Sequence, residues 1–176
     1  MRALLTAAFL LIALVVPTVA ETPAIKPFVG HFTGTAVLKN RDAVFFGTTA
    51  RDLDTLIVET AEGFRITWTT RQADDAAERG KRRARESTFD FVPAGRPNIF
   101  KAVQSGDAAS GQTYAWARVD GRTLVVYVME IVGNGTPAMA TYTRSIAGDE
   151  MTLTFMLTRD GEPIRVVSGK LKRKTP

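Results

Sequence analysis

The sequence predicts an all-β protein, a closed up-and-down antiparallel barrel of about eight to ten strands, with a two-sheet β-sandwich as the alternative. Three observations predict it. From residue 28 onward apolar and polar residues alternate in short runs; Gly, Asp and Asn separate those runs at hairpin spacing; and no helical period outlasts about two turns, the best segment being the short polar stretch DDAAERG at 74–80. Successive hairpins without long crossovers favour the barrel, because closure removes the exposed edges that a flat sheet of this size would have to protect.

The chain opens MRALLTAAFLLIALVVPTVA, with Arg2 before an apolar run at 3–16 and the small-residue pattern Thr18-Val19-Ala20. This reads as a secretory signal peptide cleaved after Ala20, leaving 21–27 as a linker and 28–176 as one barrel domain. The run falls short of the roughly 20 apolar residues a transmembrane helix needs, and Pro17 interrupts it, so no transmembrane anchor is expected. The expected location is periplasmic or extracellular.

Strands are predicted near 28–38, 52–60, 63–71, 82–92, 98–104, 113–119, 122–132, 137–147, 150–159 and 163–173. Asp120-Gly121 and Asp160-Gly161 sit at the centres of two four-residue turns, and the dipeptide suits a type I′ hairpin in which both residues take positive φ. Side chains two apart share a face of a strand. In the first strand Phe28, Gly30, Phe32, Gly34, Ala36 and Leu38 share the apolar face, which turns His31, Thr33 and Thr35 outward. Phe64, Ile66 and Trp68 line up in the third strand, and Met151, Leu153, Phe155 and Leu157 in the ninth.

Two strands are ambiguous. In the sixth, Tyr114, Trp116 and Arg118 oppose Ala115, Ala117 and Val119, so the aromatics either line the interior with one charged guest or lie outside. Arg118 is then either an anchor for an anionic head group or a side chain at the rim, and Arg144 beside Tyr142 poses the same choice. The seventh, TLVVYVMEIV, is apolar on both faces, so its outer face needs cover. Glu130 interrupts that strand on the face of Val126 and Val128, and it must reach the rim or find a partner.

Composition excludes several chemistries. The chain has no cysteine, which removes thiol catalysis, iron–sulfur clusters and cysteine-rich zinc sites, and leaves packing and sheet hydrogen bonds as the sources of stability. One histidine, facing outward, excludes a histidine-rich metal site and argues against a Ser–His–acid triad. Asp52 and Asp54 read as solvated acids rather than metal ligands, and no spacing pairs Asp74, Asp75, Glu130 or Glu150 as glycosidase carboxylates. No catalytic site, metal or cofactor is expected. A net charge of +5 in an exported protein does not point to nucleic acid. The run with Arg79, Lys81, Arg82, Arg83 and Arg85 reads as a solvated loop or as a contact with an anionic envelope surface.

With Gly30-His31-Phe32 opening the first strand of a closed meander, the chain resembles the calycin superfamily, lipocalins and fatty-acid-binding proteins included, with Phe in place of Trp in the Gly-x-Trp signature. The longer form Gly30-x-Phe32-x-Gly34 resembles nitrobindin-like haem barrels, but their haem-binding histidine on a late strand has no counterpart after His31. The lipocalin resemblance implies a basic residue near the last strand packed over the first-strand aromatic, a role open to Lys170, Lys172 or Arg173. The chain is also similar to uncharacterised exported proteins of Gram-negative bacteria. The resemblance implies a lipocalin-like protein that binds a small hydrophobic or amphipathic ligand inside the barrel. Phe32, Phe64, Trp68, Trp116, Tyr127 and Phe155 would line the cavity, with Arg118 and Arg144 as polar anchors. The alternative is a non-enzymatic envelope module acting through its surface.

Overall fold

The computed structural model describes residues 24–39, 50–72 and 84–175. The signal peptide expected at 1–20 and the basic positions Arg79, Lys81, Arg82 and Arg83 lie outside the described residues. Ten antiparallel strands close into a barrel: β1 (Gly30–Lys39), β2 (Ala50–Glu59), β3 (Phe64–Gln72), β4 (Ala84–Pro93), β5 (Ile99–Ala102), β6 (Tyr114–Asp120), β7 (Thr123–Ile131), β8 (Pro137–Ala147), β9 (Glu150–Arg159) and β10 (Glu162–Arg173). Each strand pairs with its neighbours in sequence, and β1 closes on β10 from Phe32 opposite Arg173 to Lys39 opposite Val166. The sandwich alternative is thereby set aside.

Closure depends on close backbone approach. A Cβ at Gly34 would collide with the Lys170 carbonyl of β10, and one at Gly30, where φ is 141°, would occupy the place of the Arg173 guanidinium. The turns follow their dihedrals. Asp160 and Gly161 both take positive φ, 52° and 81°, as a type I′ turn requires. The β6–β7 turn differs from its sequence expectation. Asp120 still pairs with Thr123, so Gly121 and Arg122 are the loop residues, and of these Gly121 alone has positive φ, the pattern of a II′ turn.

The two ends of the barrel differ. At the first end the chain enters through the 3-10 helix Lys26–Phe28, and Ile25 and Phe28 pack into the core, so this part of the expected linker belongs to the barrel. Arg173 lies over the Phe32 ring with its guanidinium carbon 4.5 Å from the centroid, and it donates to the carbonyls of Val29 and Pro27. Arg173 thus takes the position implied for a basic residue of the last strand. Phe28, Phe32, Ile57, Phe64, Phe91, Leu124 and Leu171 are wholly or almost wholly buried here. Toward the opposite end the inward-facing Phe89, Val128, Tyr142, Phe155 and Leu157 are only partly buried, which makes this end the mouth. The β5–β6, β7–β8 and β9–β10 connections lie at the mouth.

Candidate functional site

The interior on the mouth side is built around aromatics from strands on opposite sides of the ring. Trp68 of β3 and Tyr142 of β8 stand half the ring apart, yet their centroids are 4.7 Å from each other. The lumen is narrow enough at that level for opposite walls to touch. Trp68 stacks on Phe89 at 5.7 Å, Tyr142 meets Phe155 at 4.9 Å, and Phe89 leads through Phe91 and Phe64 to Phe100. An unbroken aromatic seam therefore runs from one wall to the other.

Arg144 lies beneath the crossing. Strand parity places it on the inner face with Tyr142 and Ile146, and its register partners are Leu124 of β7 and Leu153 of β9. It is 0% exposed, and its Nε, Nη1 and Nη2 have no hydrogen-bond partner among the described residues. The guanidinium carbon sits 5.1 Å from the Trp68 centroid and 5.5 Å from that of Tyr142. These π faces supply part of the solvation the cation has lost, and they leave its directional donors unused. Burial pushes its pKa down to about 10, so it remains charged at neutral pH. Burial also raises the Tyr142 hydroxyl, opposed first by Arg144 and then by Arg85.

Arg85 of β4 is exposed. Glu130 reaches the rim and accepts from the Thr113 hydroxyl at 2.8 Å, so its place at the end of an apolar strand leaves no carboxylate buried. His31 faces outward, as parity predicts, and its Nε2 donates to Asp54 at 2.8 Å. Both side chains are partly exposed, so the pair is a surface contact.

Of the residues expected to line the interior, the structure gathers Trp68, Arg144 and Phe155 around the seam. Phe32 and Phe64 face inward in the fully packed closed half. Trp116, Arg118 and Tyr127 are corrections, because all three point outward. On β6 the inward residues are Ala115, Ala117 and Val119, and on β7 Leu124, Val126 and Val128. Phe64, Phe91 and Phe100 already fill the space in front of β6, so small residues fit there and the large rings stack outside, Trp116 on Tyr127 at 4.8 Å. Tyr142, Phe89 and Phe91 were not among the expected site residues. The alternation Phe89-x-Phe91 in STFDFVP carries the signal for the last two.

No family model matches the sequence, and none of the curated proteins does. Solved structures match at the level of fold. A Mycobacterium tuberculosis protein, Rv2717c, aligns with a TM-score of 0.50 at 13% identity, covering 88% of this chain and 99% of its own. A protein of unknown function from the DUF3598 family of Nostoc punctiforme aligns with a TM-score of 0.56 at 16% identity, over 88% of this chain and 53% of that one. The S-type phycobiliprotein lyase CPES of Guillardia theta aligns with a TM-score of 0.56 at 12% identity, covering 86% of this chain and 91% of the lyase. Together with the closed ten-strand meander they show the class of fold: a closed antiparallel β-barrel. At these identities the likeness carries over the fold and assigns no activity.

Proposed function

We propose that this protein binds a small amphipathic ligand in the mouth-side half of the barrel. The apolar body of the ligand lies among Phe89, Tyr142 and Phe155, and its acceptor group reaches Arg144. One observation carries the reading: Arg144 is a wholly buried cation whose three nitrogens have no hydrogen-bond partner among the described residues. Buried polar groups are otherwise satisfied in folded proteins, and an unpaired charge held in an apolar interior destabilises the fold. A ligand that accepts hydrogen bonds from the guanidinium removes that penalty when it binds, and the relief adds to its affinity. Reaching Arg144 requires Trp68 and Tyr142 to separate, which makes this pair part of the binding event.

Export through the signal-like segment at 1–20 is part of the same proposal, supported by its charged start, apolar run and small-residue end. N-terminal sequencing of the protein from producing cells checks it, with Glu21 expected as the first residue.

Binding is tested with dodecanoate and dodecanol, which share an apolar chain and differ in the head group. Dodecanoate is expected to change Trp68 emission in a Trp116→Phe background, and Arg144→Met to weaken its binding at least tenfold, a loss on the order of 1.4 kcal/mol. Dodecanol binding should change little in the same variant. Failure of both probes to bind, or equal loss of both in Arg144→Met, overturns the assignment of Arg144 as the anchor.

A further inference from the structure

We infer that the outer face of β6–β9 next to the mouth docks on an anionic lipid bilayer, a surface independent of whatever the barrel holds. The strand register sorts the outward side chains of this half of the barrel into rows. In the row nearest the mouth Tyr114 stands opposite Met129, and Met129 opposite Met139. In the next, Trp116 faces Tyr127, and beyond the single polar residue Thr141 come Met156 and Val166. The third row is mostly threonine and serine beyond Arg118 and Val125. The fold thus presents an apolar band beside its open end, grading into polar surface toward the closed end.

The opposite half of the barrel shows what a solvated face looks like here. There Thr67 bonds Thr88, Arg65 pairs with Asp90, and His31 pairs with Asp54. Its apolar exceptions, Val37 and Leu56, stand singly. On the band, Tyr114 and Met156 are 41% and 38% exposed, and Val103 of the neighbouring loop is 61% exposed. Half-buried Trp116, Tyr127, Met129 and Met139 lie between Tyr114 and Met156, and an apolar surface of this extent marks a contact site.

Charge selects the occupant. The charged strand residues in these rows of β5–β9 are Lys101, opposite Trp116, and Arg118; the nearest described outward-facing acids lie beside the band, Asp120 one row further toward the closed end and Asp90 on β4, where Arg65 holds it. A two-fold dimer through the band would bury it against an identical band, whose three rows on β5–β9 offer those cations no acid. Anionic head groups complement Lys101 and Arg118, while Trp and Tyr suit the boundary between head groups and acyl chains. The net charge of +5 acts in the same direction.

The test is cosedimentation of the full chain with vesicles of phosphatidylcholine and phosphatidylglycerol, against vesicles of phosphatidylcholine alone. Binding is expected to the mixed vesicles and to fall with added salt. In a Trp68→Phe background Trp116 is the one remaining tryptophan of two, and its emission is expected to shift to shorter wavelength on binding. The double substitution Tyr114→Ser with Met156→Ser, at exposed positions that leave the core untouched, is expected to weaken partitioning about tenfold. Val37→Ser on the opposite face is expected to leave it unchanged. Absence of binding to mixed vesicles overturns the inference. So does binding that survives the double substitution, which would place the contact elsewhere, such as the apolar run at 3–16, and so does a dimer mass in solution that disappears with that substitution.

Discussion

At the scale of single residues, Arg144 and Arg173 are the same side chain in opposite circumstances. Arg173 is satisfied: it covers Phe32, donates to two carbonyls and stands 3.5 Å from the Asp149 carboxylate. Arg173→Ala is expected to lower the unfolding free energy in urea by about 2–4 kcal/mol, through loss of the cation–π contact and of the charged hydrogen bonds. Arg144 has no hydrogen-bond partner among the described residues, so Arg144→Met is expected to leave stability unchanged or raise it, by up to about 4 kcal/mol, while ligand affinity falls. A residue whose removal strengthens the fold and weakens binding is held in place for function. The pH dependence has a definite sign. Because burial lowers the folded pKa of Arg144 to about 10, below the ordinary arginine value, the charge penalty is fully present below pH 10. It is relieved as pH rises through the folded value toward the unfolded one. The stability advantage of Arg144→Met over the natural protein is therefore expected to be constant near neutrality and to shrink above pH 10, as measured by denaturant titration at each pH.

At the scale of elements, the observed strands match the expected ones to within a few residues, because each alternating run ends at a turn residue whose chemistry is local. Strand β5 is the shortest, Ile99–Ala102 against an expected 98–104. The ladder with β6 ends at Lys101, while on the other side the Val103 amide extends the pairing with β4 by donating to the Asp90 carbonyl. The β1–β10 pair carries the strictest local requirement. Gly34→Val is expected to prevent normal closure, since its Cβ would meet backbone of β10 and no flexible side chain can yield there. Hydrogen exchange should show faster amides in β1 and β10 first, with the β6–β9 hairpins retained longer. At the β9–β10 hairpin, Gly161→Ala is expected to cost about 1 kcal/mol, because an alanine resists the φ of 81° that the turn demands.

At the scale of the molecule, ring closure ties residue 32 to residue 173, so the pairing that closes the barrel joins the first strand to the last. Folding is expected in the millisecond-to-second range typical of non-local β topologies, measurable by stopped-flow fluorescence. The same closure separates a packed end, sealed by Ile25 and Phe28, from a mouth where inward aromatics keep partial exposure. Any ligand held there stabilises the native state by mass action, about 2.7 kcal/mol at a hundredfold excess over its dissociation constant. A rise in Tm with dodecanoate that is absent in Arg144→Met would therefore report the same site as the binding titration.

The amino-acid sequence alone determined the all-β class, the ten strands, the Asp160-Gly161 turn, the outward face of His31 and the inward faces of Phe32, Phe64, Trp68 and Phe155. All of these follow from a period of two and from turn chemistry, which are read within a few residues. Tertiary structure decided the rest. Where a strand carries large apolar residues on both faces, as β7 does, or aromatics against alanines, as β6 does, parity defines two faces without saying which is inside. The volume already occupied by Phe64, Phe91 and Phe100 from other strands made that choice and turned Trp116, Arg118 and Tyr127 outward. The same holds for Arg144. Its isolation is a property of Trp68, Tyr142, Leu124 and Leu153 converging from four different strands, and closure of the ring is what brings them together.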